Sequence, residues 1–556
     1  MQGAAYVGRV LTAADIRLSR GGQVVLEGVS LSVGPRSRIG LVGPNGVGKT
    51  TFLRILAGLE QPDSGRVERS PASLTVGYLP QEAGALPSEG LGEYLARRTG
   101  VAAAERALDE ATAALGRSAD DQVIGEHAAA LEVFLGLGGS DLSSRVGEVL
   151  ADVGLSADRH DVGMANLSGG QQARAALAAV LLARFDVFLL DEPTNDLDFA
   201  GLDRLGTFLD GVTGGVVIVS HDRAFLDEAV DRVLEIEEGT RRSAEYAGGW
   251  SAWQAQRDLA RAQAAAAYEG FATERSRLVA RERTQREWAT KGVARSKKNP
   301  KDKDKAQRKF FEDRTEKLAG KVKITEKAIT RLERTAVDKP FEPWELQLSF
   351  AGGGRSGDVV ARLDGAVVER GSFRLGPVDL QLGWQERVAV VGPNGSGKST
   401  LLRALLGDVP LTGGTRTLGP GVVVGTMDQR RSAYGGEAAL LGTFSVETGL
   451  EGSEARTLLA KFGLVADHVH RAGRDLSPGE RSRAVLATLM ARGVNLLVLD
   501  EPTNHLDVPA IEQLEQALDA FDATLVLVSH DRRLLEAVAT SRTIIVEHGA
   551  VREAVT

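Results

Sequence analysis

The run GPNGVGKTT, containing Gly43, Pro44, Asn45, Gly46, Gly48, Lys49, Thr50 and Thr51, has the residue types and spacing of a phosphate cradle. Glycines let successive backbone N–H groups turn toward one anion, and a helix beginning at the end of the run adds the positive end of its dipole. The context fits, because an apolar strand, SRIGLV, precedes it and a helical run, Phe52–Ala57, follows. In that setting Lys49 reaches the β- and γ-phosphates of a nucleotide and the Thr50 hydroxyl ligates Mg2+. The run returns as GPNGSGKST, with Gly392, Pro393, Asn394, Gly395, Gly397, Lys398, Ser399 and Thr400, after RVAVV. There Lys398 and Ser399 take the same two roles.

Carboxylates recur in step with these runs. FLLD and LVLD read as buried parallel strands that end in Asp191 and Asp500. Open α/β sheets bind ligands beyond the carboxyl ends of their strands, so both aspartates are placed to help hold Mg2+. Each is followed by a glutamate, Glu192 or Glu501, placed to polarise a water against the γ-phosphate. LSGGQ, around Ser168 and Gly170, and LSPGE, around Ser477 and Gly479, each open an Ala/Leu-rich helix. Serine followed three residues on by Gln or Glu is a capping box. A capped helix start with a bare glycine is also an anion site, so the structural and functional readings coexist. Pro478 falls at the first helical position, where the N–H it lacks is not needed for the helix.

The positions of these motifs imply two copies of one domain. The phosphate runs lie 349 residues apart, from Gly43 to Gly392. Ser168 and Ser477, Asp191 and Asp500, and His221 and His530 (each histidine in VSHDR) are all separated by 309. Gln81 in YLPQE and Gln429 in TMDQR still sit 348 apart. The interval from Gln81 to Ser168 is 87 residues and that from Gln429 to Ser477 is 48, so the first copy carries 39 extra. Within them Val101–Leu115 and Gln122–Leu137 are rich in helix formers, with a break at Gly116–Asp121, and predict a two-helix arm at about residues 97–139. Between the copies, Phe311, Leu318, Val322, Ile329 and Leu332 recur at steps of three, four and seven, the seam of an antiparallel coiled coil. Asn299 and Pro300 mark its tip, and two helices of about 30 residues would reach roughly 45 Å. The expected division is a first domain at 1–248, a charged helical linker at 249–339 and a second domain at 340–556.

Composition narrows the rest. A chain of 556 residues is too long for one hydrophobic core. It has no cysteine, which excludes disulfide scaffolds, thiolate metal sites and cysteine nucleophiles. No apolar run approaches the roughly 18 residues of a membrane helix, and MQGAAYVGRVLTAADIR has no signal-peptide core, so a cytoplasmic location is expected. Net charge is −8, yet residues 257–334 hold 23 Lys+Arg against 12 Asp+Glu, a local +11 that leaves −19 elsewhere. Residues 281–309, around the tip, hold 12 basic and 4 acidic side chains. Phosphate backbones reward such a patch by counterion release. A merely solvated charged helix is the plainer alternative.

Phosphate loop, Gln81 or Gln429, LSGGQ-type signature, DEP box, TNxLD box and VSHD histidine, in that order and twice, resemble the ATP-binding cassette superfamily. The resemblance covers nearly the whole chain apart from arm and linker. It implies an α/β fold of two P-loop cassettes in tandem, closed head to tail over two ATP sites. One site would combine Lys49, Thr50, Gln81, Asp191, Glu192 and His221 with Ser477 and Gly479. The other would combine Lys398, Ser399, Gln429, Asp500, Glu501 and His530 with Ser168 and Gly170. Gln81 and Gln429 would add to the Mg2+ ligands and, with the two histidines, assist catalysis.

Within the superfamily the chain is similar to the ABC-F proteins, which pair two cassettes with an arm, a charged helical linker and TNxLD boxes. TNHLD (Thr503–Asp507) matches, whereas TNDLD places Asp196 where histidine is usual, and YAGGWSAW (Tyr246–Trp253) is similar to their Tyr-rich entry to the linker. Such membership implies ATP hydrolysis coupled to action on the ribosome, with rRNA and tRNA met through linker and arm, in translation or in antibiotic resistance. No aromatic is expected near Arg20 or Arg370, where cassettes often stack adenine, so Arg20 itself is the candidate to stack. An ATP-binding subunit of a membrane transporter is the alternative, which leaves arm and basic hairpin unexplained. A DNA-repair or chromosome ATPase fits less well, since such cassettes are split by a long coiled coil or carry zinc cysteines.

Overall fold

The computed structural model of the chain describes residues 8–80, 84–86, 88–118, 120–156, 162–195, 197–298, 320–335, 355–371, 373–427, 434–504 and 506–554. Two compact units are present: Met1–Ser251 with Glu345–Thr556, and Ala252–Trp344.

The first unit contains both cassettes. Strands of the first are β1 (Val10–Arg20), β2 (Gln23–Val33), β3 (Arg38–Val42), β4 (Ser64–Ser70), β5 (Val76–Leu79), β6 (Val187–Asp191), β7 (Gly215–Val219), β8 (Arg232–Ile236) and β9 (Ser243–Ala247). They form a three-stranded antiparallel sheet, β2-β1-β4, and a six-stranded sheet, β5-β6-β7-β3-β8-β9, parallel except for β9. The second cassette repeats this with β10 (Val359–Arg370), β11 (Phe373–Gly383), β12 (Arg387–Val391), β13 (Gly413–Leu418), β14 (Val424–Met427), β15 (Leu496–Asp500), β16 (Thr524–Val528), β17 (Arg542–Glu547) and β18 (Ala550–Glu553). Its sheets run β11-β10-β13 and β14-β15-β16-β12-β17-β18.

Sequence explains the assignment of strands to sheets. VFLLD, apart from its terminal Asp191, and GVVIV are apolar, and both are buried along their whole length, as strands covered on both faces must be. β1, with Asp15, Arg17 and Ser19 among its apolar residues, buries Leu11, Ala13, Ile16 and Leu18 on one face. That face joins Ile39 and Leu41 of β3 and Phe52 and Leu53 of the helix Lys49–Ala57 in one core. Val360, Leu363, Val388, Leu401 and Leu402 build the same core in the second cassette. The helix that follows each phosphate loop is thus anchored by apolar side chains, which fixes where its N-terminus points.

The extra segment of the first cassette folds into helices Val101–Leu115 and Asp121–Gly136, packed on each other. Asp120 caps the second by accepting from the Val123 N–H at 3.0 Å.

The described residues of the second unit are helical, apart from a turn at 334–335. Its first helix belongs to an element that runs Trp250–Lys298, 49 residues rather than about 30. At 1.5 Å per residue that is roughly 73 Å. The helix starts where the linker is expected to begin, and the Ala-rich sequence after Trp250 has no proline to end it early. Residues 320–333 are helical and run antiparallel to it. Arg275 pairs with Glu333 at 3.1 Å and Arg286 with Glu326 at 3.0 Å, one number rising as the other falls. Thr325, between Val322 and Ile329, is buried; the Gln285 amide donates to its hydroxyl at 2.9 Å and the hydroxyl donates to the Lys321 carbonyl at 3.1 Å, while Val322, Ile329 and Leu332 are half-buried. Phe311, Leu318 and the expected tip at Asn299 and Pro300 lie outside the described residues. Among the described residues no helix is long and apolar enough to cross a membrane.

Candidate nucleotide sites at the cassette interface

β3 lies between β7 and β8, and β7 lies beside β6, so the phosphate loop, His221 and the Asp191–Glu192 pair all leave the same end of one sheet. Gly43 has φ 147°, and a Cβ there would stand 2.6 Å from the Ile236 carbonyl oxygen; at Gly392 the φ is 149° and the distance to the Val546 oxygen 2.0 Å. Only glycine lets the loop pass that close to the neighbouring strand. Lys49 Nζ donates to the Gly43 and Pro44 carbonyls at 2.6 and 3.1 Å, and Lys398 Nζ to those of Gly392 and Pro393 at 2.7 and 3.2 Å. Burial lowers the pKa of both ammonium groups, which disfavours the charged form until an anion is present.

Asp191 accepts from the Tyr78 hydroxyl at 3.1 Å and from the Thr50 hydroxyl. Burial raises its pKa against these two donors. One carboxylate and one hydroxyl brought together are hard oxygen donors of the kind Mg2+ prefers when phosphates and water fill the rest of its shell. Among the described residues no cluster of three acidic or histidine side chains forms a separate cation cage.

Glu192 and Glu501 both sit in left-handed backbone, at φ 53° and 47°. Non-glycine residues pay on the order of 1–2 kcal/mol for this, and such strain concentrates at functional sites. Their N–H groups are tied to the Val219 and Val528 carbonyls at 2.8 and 2.9 Å. Burial pushes Glu192 up to about 7. The His221 N–H donates to Glu192 Oε2 at 3.2 Å, and His221 Nε2 stands 3.2 Å from both Glu192 Oε1 and Asn45 Oδ1. Burial, then the nearby lysine, pushes His221 down to about 3 and His530 down to about 4, so both imidazoles are neutral near pH 7.

Contacts between the cassettes are reciprocal. Asp198 caps its own helix through Oδ1, which accepts from the Gly201 N–H at 2.9 Å. Its Oδ2 accepts from the Asn394 N–H, in the other cassette's phosphate loop, at 2.9 Å. Asp507 does the same, with Ala510 N–H at 3.2 Å and Asn45 N–H at 3.1 Å. Arg174 donates to the Asn394 carbonyl at 2.9 Å, and a Cβ on Gly170 would stand 3.8 Å from Asn394 Cβ. A cavity of about 1250 Å3 is lined by Lys49, Thr50, Asp191 and Glu192 of one site and by Asn394, Glu501 and His530 of the other, with Gly169 and Gly170 beside Asn394. Ser168 and Ser477 each form the expected capping box, and the second helix starts at Pro478.

Of the expected residues, Lys49, Thr50, Asp191, Glu192 and His221 line one cavity with Glu501 and His530 of the other cassette, and Lys398 lies near Glu501 and Asp500. Gly170 meets the second phosphate loop directly. Gly479 stands against Asp507, 3.8 Å from Oδ1 to a built Cβ, and reaches the first loop through that aspartate. Gln81, Gln429 and Asp196 lie outside the described residues. One expectation is overturned: an aromatic does stand at the second loop, because a Cβ on Gly397 would lie 2.7 Å from Phe373 Cζ. Phe373 is three residues beyond Arg370, across the turn into β11, and the hairpin folds it back onto the loop. Arg20 lines the cavity and pairs with Glu60. Tyr78 and Arg174 carry no sequence signal of their own, and Asp198 and Asp507 show in sequence only as the last residues of the TNxLD boxes. Asp before a helix start is a legible cap signal, but the second oxygen's use across the interface has no sequence signature.

A family profile described as ABC transporter matches residues 26–195 and 375–504, and the chain belongs to this ATP-binding cassette family. It is 35% identical to the tylosin resistance ATP-binding protein TlrC of Streptomyces fradiae, over 92% of this chain and 93% of that one. It is 34% identical to the energy-dependent translational throttle protein EttA of Escherichia coli strain K12, over 93% and 88%. It is 30% identical to ABC transporter F family member 5 of Arabidopsis thaliana, over 99% and 77%. Within the cassette family the chain is an ABC-F member.

Proposed function

We propose that the chain is an ATPase that hydrolyses ATP with Mg2+ at two composite sites and uses closure of its cassettes to act on the ribosome. The observation that carries this reading is the reciprocal pair Asp198–Asn394 and Asp507–Asn45, by which each cassette completes the other's phosphate loop. Lys49 and Lys398, with the loop N–H groups, bind the β- and γ-phosphates. Thr50 and Asp191 at one site, and Ser399 and Asp500 at the other, hold Mg2+ with Gln81 and Gln429; the ion would neutralise charge on the phosphates. Glu192 and Glu501 accept the proton of the attacking water, a task for which a pKa near 7 suits Glu192. His221 and His530, neutral, orient that glutamate and the water. Ser168 with Gly170, and Ser477 with Gly479, offer helix-start donors to the nucleotide held by the opposite cassette.

The effector is the linker, taken as residues 249–339 between cassettes at 1–248 and 340–556. Its 12 basic against 4 acidic residues over 281–309 favour a nucleic-acid phosphate backbone. TlrC is named for tylosin resistance and EttA for throttling translation. The second name favours a target in translation, which we take to be the ribosome, met through its rRNA and tRNA in a cytoplasmic setting. The transporter-subunit alternative accounts for neither arm nor basic hairpin.

The test is the Glu192→Gln, Glu501→Gln double variant. An amide cannot accept the proton while the phosphate loops stay intact, so the variant binds ATP and hydrolyses almost none. Near-normal turnover would sink the assignment of the glutamates.

A further inference from the structure

The two sites hold their histidines by different means. At the first, His221 Nε2 lies 3.2 Å from Asn45 Oδ1 and 3.2 Å from Glu192 Oε1. At the second, His530 Nε2 lies 3.4 Å from Glu501 Oε1, and neither ring nitrogen makes a hydrogen bond among the described residues. The imidazole is instead met by the ring of Phe199, with centroids 5.2 Å apart and planes at 79°. Phe199 comes from the opposite cassette. The residue at its place in the second cassette, 309 positions on, is Val508, which has no ring to offer His221.

Phe199 is itself fixed on several sides. It is the first residue of the helix Phe199–Gly211, directly after Asp198, whose two oxygens are held by Gly201 and Asn394. The Arg532 guanidinium lies 5.5 Å from its ring centroid and is anchored to Asp203 at 2.9 Å. The ring of the first cassette is thus clamped between two side chains of the second, His530 and Arg532. An edge-to-face contact restricts the imidazole's rotation about its terminal torsion, a broad torsion that hydrogen bonds would otherwise have to define.

We infer that Phe199 is a positioning residue for hydrolysis at the second site, holding the His530 imidazole against Glu501 from across the interface. The inference rests on the ATPase reading above. It makes the second site's turnover depend on where the first cassette's helix Phe199–Gly211 stands. The first site has no such dependence, because Asn45 does the corresponding work within the same cassette as His221. Opening of the interface then withdraws the ring and leaves His530 unheld, which ties hydrolysis at this site to full closure.

The experiment measures steady-state ATP turnover of the full chain in two backgrounds. Glu192→Gln leaves the second site alone and Glu501→Gln leaves the first. In the Glu192→Gln background, Phe199→Val lowers kcat roughly three- to tenfold with KM within about twofold, and Phe199→Tyr restores kcat to within about twofold. In the Glu501→Gln background, Phe199→Val leaves turnover unchanged, which also shows that the variant is folded and closes. Equal loss in both backgrounds, no loss in the Glu192→Gln background, or Tyr no better than Val would overturn the inference. The double glutamine variant, assayed alongside, separates the two claims: near-normal turnover there sinks the assignment of the glutamates on which the inference rests, whereas the other outcomes bear on Phe199 alone.

Discussion

Replacing Asp198 by serine separates two jobs that one carboxylate does. Serine is about as good a helix cap as aspartate, so the bond to the Gly201 N–H is conserved in kind. Its single oxygen cannot also reach the Asn394 N–H, now held at 2.9 Å. A hydrogen bond to a charged acceptor contributes roughly 1.5–3 kcal/mol, and the lower end applies to this half-buried group. About 1.5 kcal/mol corresponds to about a tenfold loss in kcat if closure precedes hydrolysis. Asp198→Ala loses the cap as well, about 1 kcal/mol more, which lowers Tm by about 2–4 °C in a domain of this size. Turnover and thermal unfolding without nucleotide are the two assays. Asp198→Ser keeps Tm within about 1 °C of the parent while kcat falls about tenfold. Unchanged kcat in the serine variant, or a fall in Tm as large as alanine's, would refute the division of labour. The sign with pH follows from the same contacts. Burial works to raise the Asp198 pKa, but the Asn394 and Gly201 N–H groups hold it below the ordinary 3.8. The stabilisation is therefore complete above that value and is lost as pH falls through the depressed folded-state pKa.

Two further outcomes follow from the site. With only the first site active, in Glu501→Gln, kcat rises as pH increases through about 7, because burial keeps Glu192 protonated below that pH and a protonated base accepts nothing; a rate constant down to pH 5 would contradict this. Pro478→Gly restores one N–H at the start of a helix whose capping box is intact, so first-site turnover in the same background stays level or rises, and a large fall would show that proline stiffens the helix start in a way the geometry does not reveal.

Much of the chemistry was legible because it is local. The spacing of Gly43, Lys49 and Thr50 already states strand, turn and helix, and the repeat at Gly392 states it again. Asp191 and Glu192 close a strand whose apolar run identifies it as buried. The arm was legible from helix formers around a break, and its helices end within a residue of the expected bounds at Leu115 and Gly136. What was not legible depends on the second cassette's surface. Asp198 advertises a cap but not the use of its other oxygen on Asn394. Phe199 reads as an ordinary apolar first-turn residue until His530 arrives from 331 positions away. Phe373 lies three residues beyond Arg370 in sequence, and only the hairpin turn brings its ring onto Gly397. The linker's first helix outran its expected length because periodicity marks a seam, while helix length is set by where a breaker occurs.

Ribosome co-sedimentation of the Glu192→Gln, Glu501→Gln variant tests the central claim most directly. It is run with ATP and without nucleotide, at two salt concentrations, beside the same variant with Lys297, Lys298, Lys301, Lys303 and Lys305 made neutral. The account predicts ATP-dependent pelleting with ribosomes. It also predicts that the neutral tip weakens binding and flattens its salt dependence, by about one unit of slope or less per lost phosphate contact. Pelleting that ignores ATP, or a neutral tip with unaltered affinity at both salt concentrations, would contradict it.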